Sequence, residues 1–294
     1  MVIEKITATM REIRLRVAFA TAQDAAPRTA ARVVRVQSLL QDGRSVLSEA
    51  VPAPYVTGET CDTVLADIEA AAPRFIGMDA TRLAPMLRVA AAAVPPLHFT
   101  ARAALEVAAY NTYAAATGTD LWHHFGAAVE SVETDITLSR SEDPVAAATK
   151  AAAAGFRWLK VKLGSPAKDE VQRLVEVHAA VPSIRLRLDA NQAYTAAEAL
   201  DLVEKLVAAE LPIEFLEQPV RWDDIEALGR VAEASPIPIV ADEAVKTPAD
   251  ALRLMAETKV QAINIKIMKC GVTGALGILE VVRAFGRRAM IGCM

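Results

Sequence analysis

The sequence of 294 residues is poor in cysteine and histidine. Its three cysteines, Cys61, Cys270 and Cys293, show no CxxC spacing, which argues against a disulfide framework and for a reducing compartment. None of the four histidines, His98, His123, His124 and His178, has a partner at metal-ligand spacing, and none is assigned to catalysis. No apolar run is long enough to span a bilayer, since VAAAAVPPL is short and interrupted by proline. The N-terminus, MVIEKITATMREIRLR, is too charged for a signal peptide. There is no phosphate-loop or dinucleotide fingerprint, and GSPAK lacks the glycines for one. A formal net charge of −4 gives no reason to expect nucleic acid or an anionic membrane as partner. What remains is a cytoplasmic globular enzyme, for which 53% hydrophobic and 23% charged residues supply a large core.

What is present is a repeat. Five apolar segments, WLKVK, IRLRLD, PIEFLE, IPIVAD and AINIK, end in Lys162, Asp189, Glu217, Asp242 and Lys266, at intervals of 27, 28, 25 and 24 residues. Each is of strand type, and each is followed by a turn and an Ala- and Leu-rich stretch of helical period. Regular β-α repetition implies a parallel sheet. Charges gathered at the C-terminal ends of such strands, and not elsewhere in them, form the pattern of a (β/α)8-barrel active site. TDITLS precedes the five as a strand without a terminal charge, and Asp143-Pro144 starts the helix after it. RAMIGCM reads as a seventh strand, and no eighth is present. The expected barrel therefore has an open seam between its first and seventh strands, with its last unit absent from this sequence or supplied from elsewhere.

Residues 1–125 read as a separate α+β module, and residues 126–294 as the barrel. IEKITA, REIRLRVAF, ARVVRVQSLL and SVLSEA alternate apolar and polar positions as half-buried strands do, with a turn at Asp42-Gly43. Helical stretches follow from Cys61, which Thr60 can cap. Two loops, ATAQDAAPRT and VPAPYVTGET, read either as solvated connections or as a mobile lid.

Period two places Lys160 and Lys162 on one face of their strand and Val161 on the other. Asp189, Glu217 and Asp242 are candidate metal ligands. Oxygen donors on adjacent strands suit a hard ion such as Mg2+, and three converging carboxylates need a cation between them. Helix caps and surface ion pairs would explain one such residue but not three. Asn191 is placed to hold a ligand from behind. Glu243, by alternation, is expected to point elsewhere, and Lys269 to be structural or peripheral. Lys266 lies well round the barrel from Lys162, so the two ammonium groups can approach a central substrate from opposite sides.

Together KVK, LDANQAY, EFLEQPV, IVADEAV and NIKIMKCG resemble the enolase superfamily, in its muconate-lactonizing subgroup, over nearly the whole chain. The first 125 residues look like that family's capping domain. NIKIMKCG followed by TGAL is most similar to the dipeptide epimerases. The resemblance implies Mg2+ held by Asp189, Glu217 and Asp242, acid/base roles for Lys162 and Lys266, and support of an enolate by Lys160. It implies a small-molecule substrate, a dipeptide or N-acyl amino acid carboxylate, whose α-proton is removed and returned; a homo-oligomer is expected. An o-succinylbenzoate synthase or N-acylamino acid racemase is the alternative, followed by a cycloisomerase. A Schiff-base aldolase and an inactive binding protein are readings outside the family. Two departures stand out. Val272 replaces a glycine usual in the family, and the chain stops after GCM, before the eighth-strand acidic residues that hold the substrate's ammonium group in dipeptide epimerases.

Overall fold

The computed structural model describes residues 1–294 except Ala25, Ser141 and Ser165. One residue of the ATAQDAAPRT loop and one of GSPAK thus lie outside the described residues. The chain opens with an antiparallel sheet of β1 (Ile3–Phe19), β2 (Arg28–Leu40) and β3 (Ser45–Ala50). Helices α1 (Pro54–Thr57), α2 (Cys61–Ala71), α3 (Leu83–Ala93), α4 (Phe99–Thr117) and α5 (Leu121–His124) follow. Then come β4 (Ile136–Leu138), β5 (Trp158–Lys162), β6 (Arg185–Asp189), β7 (Ile213–Glu217), β8 (Ile239–Ala241), β9 (Ala262–Ile265) and β10 (Arg288–Ile291). Between them run α6 (Pro144–Ala153), α7 (Ala167–Ala180), α8 (Ala196–Ala208), α9 (Ile225–Ala234), α10 (Pro248–Glu257) and α11 (Ile267–Ala284). These seven strands pair in parallel in chain order, with β4 and β10 at the two edges, so the expected open seam is present among the described residues. No helix of the described residues is long and apolar enough to cross a membrane.

One local expectation fails. IEKITA and REIRLRVAF are a single strand, β1, whose register with β2 runs on from Lys5↔Leu39 to Arg14↔Ala30. Ala8-Thr9-Met10 contains none of the residues that turn a chain, so the alternation simply continues. The turn signals that do exist are used. Gly43 takes φ +83°, Thr60 accepts from Thr63 N at the start of α2, and Asp143 accepts from Ala146 N at the start of α6.

Two apolar cores follow from the patterning. Leu159, Val161, Leu186, Leu188 and Ile263 point outward from the parallel sheet against Leu174, Leu202, Leu228, Leu254 and Ile278 of the helices. Ile3, Val34, Val36 and Leu40 pack against Val64, Ile68, Met86 and Leu105. Each such fully buried side chain contributes roughly 1.5–3 kcal/mol.

The two layers meet at α4 and α11. Thr100 Oγ1 donates to Met268 O (3.3 Å), and Thr273 N donates to the buried carboxylate of Glu106 (2.9 Å). Gly271 breaks α11 at φ 70°, ψ 174°, and a Cβ there would stand 2.5 Å from Glu106 Oε2. Gly271→Ala is therefore expected to destabilise the fold by at least about 1–3 kcal/mol, from the left-handed backbone and the displaced carboxylate together. An unchanged urea midpoint would contradict this. Val272 keeps a φ outside the left-handed region, so a β-branched residue fits there.

Candidate active site

In β5 the period of two does what it should. Val161 enters the outer core, and the ammonium groups of Lys160 and Lys162 converge inside on the next strands. Lys162 pairs in register with Asp189, and Asp189 with Glu217. Lys162 Nζ donates to Asp189 Oδ2 (2.6 Å). Lys160 Nζ donates to Glu217 Oε2 (2.7 Å) and lies 2.9 Å from Asp189 Oδ2. Asp242 and Lys266 are the first residues beyond β8 and β9, and Lys266 Nζ stands 2.7 Å from Asp242 Oδ2. The order β9-β8-β7-β6-β5 thus sets the two outer lysines on either flank of three carboxylate-bearing strands.

All three carboxylates are fully buried, and one oxygen from each lies within 4.8 Å of the others. Burial raises every carboxylate here, and neighbouring charges decide the outcome. Lys160 and Lys162 hold Asp189 well below the usual carboxylate range, and Lys266 and Lys269 do the same for Asp242. Glu217, pushed up by burial and then by Asp189, rises to about 7 despite Lys160. Burial lowers Lys160 and Lys266, but the carboxylates outweigh it and lift both above the ordinary lysine value.

Each carboxylate is also gripped from behind. Asn191 N donates to Asp189 Oδ1 (3.0 Å), Asn264 Nδ2 to Glu217 Oε1 (2.8 Å) and Lys269 Nζ to Asp242 Oδ1 (2.6 Å). Gln218, at φ +37°, accepts from Asp242 N (2.9 Å) and Ala244 N (3.2 Å) and so fixes the turn that carries Asp242. The second oxygens, Asp189 Oδ2, Glu217 Oε2 and Asp242 Oδ2, are left facing the lysines. Among the described residues no donor is aligned with buried Asp242 Oδ2, although Lys266 Nζ is close. Three such oxygens at this spacing fit a hard divalent cation.

The structure corrects two expectations and decides a third. Of the two readings of Lys269 it favours the structural one: Lys269 is 1% exposed, and its ammonium also donates to the carbonyls of Asp242 and Asn264. Glu243 does not point away. β8 ends at Ala241, alternation stops with it, and the turn carries Glu243 inward, where Asn191 Nδ2 donates to Oε1 (3.2 Å). Burial and Asp242 push its carboxyl up to about 7. Charge is also not confined to strand ends, because Arg187 in mid-β6 pairs with Glu214 (2.6 Å) and Asp135 (2.8 Å) and stacks on Trp158. Gln218 and Asn264 were not singled out from the sequence, although both sit inside the motifs EFLEQPV and NIKIMKCG. His98 precedes α4 and pairs with Asp67, His123 and His124 lie on α5, where His123 pairs with Asp120, and His178 lies on α7.

Both N-terminal loops reach this end of the sheet. Gln23 Nε2 donates to Asn191 O (2.6 Å), and Ala20 N donates to Ser139 Oγ beyond β4 (2.8 Å). Tyr55, on α1, lies in the field of Lys266 and Glu243, and burial pushes its phenol up to about 12. Glu59, just after α1, accepts from Thr100 N (2.7 Å) and Ala101 N (2.9 Å) and pins that loop to the start of α4.

Residues 143–294 match the family described as enolase C-terminal domain-like. The L-Ala-D/L-Glu epimerase of Thermotoga maritima is 33% identical over 267 residues, covering 90% of this chain and 76% of that protein. The dipeptide epimerase of Enterococcus faecalis V583, solved with Mg and L-Leu-L-Tyr, is 32% identical with a TM-score of 0.91, covering 100% of this chain and 83% of that one. The substrate-liganded L-Ala-D/L-Glu epimerase of Bacillus subtilis, also 32% identical, gives a TM-score of 0.93 over 100% of this chain and 83% of that one.

Proposed function

The chain belongs to the enolase superfamily, among the relatives of its dipeptide epimerases, and from that premise we propose that it is a Mg2+-dependent dipeptide epimerase. The observation that carries the reading is the pair of lysines, Lys162 and Lys266, on opposite flanks of three buried, converging carboxylates. The carbon acid beside a carboxylate is weak, and its conjugate base is an enediolate with two negative oxygens.

Asp189, Glu217 and Asp242 would hold Mg2+, whose charge, when bound, stabilises the enediolate and offsets the carboxylate field that lifts the lysines. One lysine, in its neutral amine form, takes the α-proton onto the Nζ lone pair as the C–H bond breaks and its electron pair passes into the enediolate. The other lysine, as its ammonium, gives a proton to the opposite face of the same carbon and is left neutral. Starting from the other epimer, the roles exchange. Lys160, between Asp189 and Glu217, places a fixed positive charge beside the developing oxyanion.

A dipeptide library incubated in D2O tests the activity: epimerisation with deuterium at the α-carbon supports it, and no exchange in any dipeptide sinks it. Asp189→Asn is expected to weaken Mg2+ binding by at least about tenfold, through loss of a charged oxygen ligand, and to lower kcat/KM with it. Calorimetric titration checks the affinity, and an unchanged value would remove Asp189 from the ligand set.

A further inference from the structure

The two flanking lysines are held unequally. Lys266 faces Asp242 Oδ2 at 2.7 Å. Lys162 donates both to Asp189 Oδ2 (2.6 Å) and to Asn191 Oδ1 (2.9 Å), and among the described residues no side-chain amide plays that second part for Lys266. Asn191 is 1% exposed, with its backbone in the left-handed region at φ +43°. Its side chain is fixed by Glu243: a carboxylate oxygen accepts, so Nδ2 turns to Glu243 and Oδ1 is left for Lys162. Its backbone is fixed by Gln23, which reaches from the loop between β1 and β2 to Asn191 O.

We propose that Asn191 is the positioning residue for Lys162, set through its side chain by Glu243 and through its carbonyl by Gln23, so that the placement of the β1–β2 loop governs proton transfer at the Lys162 face and not at the Lys266 face. The inference rests on the two-lysine reading above. Its consequence is that a loop seated differently by different dipeptides acts on proton exchange at one face of the α-carbon, while net epimerisation, which uses both lysines, slows alike in both directions. A general loosening of the mouth would act on exchange at both faces.

The test uses the full chain loaded with Mg2+ and four variants. Gln23→Leu removes the donor on an exposed loop residue. Asn191→Gly removes the amide while tolerating the left-handed backbone. Glu243→Leu removes the acceptor, and Glu243→Gln restores a carbonyl acceptor. Each epimer of one dipeptide is incubated separately in D2O, and deuterium entering the unepimerised pool is followed by NMR. A displacement of about 1 Å costs on the order of 10²-fold in rate. Gln23→Leu, Asn191→Gly and Glu243→Leu are therefore expected to slow exchange of the epimer whose proton faces Lys162 by about 10- to 100-fold. The other epimer should change by less than about threefold, with KM nearly unaltered for both, and Glu243→Gln should recover most of the lost rate.

Equal slowing of both epimers, or a rise in KM alone, would overturn the proposal. A second readout is independent of turnover: in 15N-labelled protein the Lys162 ammonium resonance should move in Gln23→Leu while that of Lys266 stays. An unmoved Lys162 resonance would overturn the proposal even if the parent exchanged no dipeptide, an outcome that by itself counts against the epimerase reading.

Discussion

Lys162→Ala and Lys266→Ala are each expected to abolish net epimerisation while leaving slow α-proton exchange on opposite epimers. The expectation comes from the sheet order. Lys162 closes β5 and Lys266 follows β9, so the three strands bearing Asp189, Glu217 and Asp242 lie between them. Removing one lysine leaves the other able to take a proton from its own face and give it back, which exchanges hydrogen without inverting the centre. Loss of a general base costs on the order of 10²–10⁴-fold, so the remaining exchange calls for long incubations in D2O, with each epimer started pure. Lys162→Ala should retain exchange in one epimer and Lys266→Ala in the other. A one-base mechanism would make one lysine dispensable, and an elimination of the synthase type would need no proton on the opposite face. If either variant epimerises at near the parent rate, the two-lysine assignment is wrong.

The residues in those roles were legible in the sequence for a simple reason. A parallel strand followed by a helix repeats at nearly constant length, and each of the five central strand segments carries an inward charge at or near its C-terminal end. Lys160, Lys162, Asp189, Glu217, Asp242 and Lys266 all announce themselves in this way. The same logic lost Glu243, because period-two alternation holds only within a strand and β8 stops at Ala241. It left Lys269 open between a structural and a peripheral place, because Lys269 sits in the first turn of α11 and reaches back under β8 and β9, a contact no spacing rule encodes. Asn264 and Gln218 are neutral, and their work is visible only once Glu217 and the Asp242 turn are in place. In the N-terminal layer the alternation identified β1 as strand but divided it in two, since an apolar-polar pattern carries no information about length where turn residues are missing.

Lys269→Met is expected to be the most destabilising single change at the site. The substitution nearly keeps the length of the side chain and removes only the ammonium, which donates to Asp242 Oδ1 (2.6 Å), Asn264 O (3.0 Å) and the Asp242 carbonyl. None of these acceptors can turn to water, because Lys269 is 1% exposed and Asp242 and Asn264 are fully buried. Breaking a buried ion pair by deleting one partner typically costs about 3–5 kcal/mol, most of it from the charge left behind. Lys266→Met is the natural comparison. It also faces Asp242, but it is 7% exposed and touches a single oxygen, with Lys269 still in place on the other. Urea denaturation of the two variants should therefore place Lys269→Met below Lys266→Met by about 2 kcal/mol at equal m-value. The same loss should loosen Asp242, so calorimetry is expected to show weaker Mg2+ binding in Lys269→Met than in the parent. Equal stabilities for the two variants would mean that Asp242 is held by its turn through Gln218 alone, and that the buried ammonium of Lys269 contributes nothing the turn does not already supply.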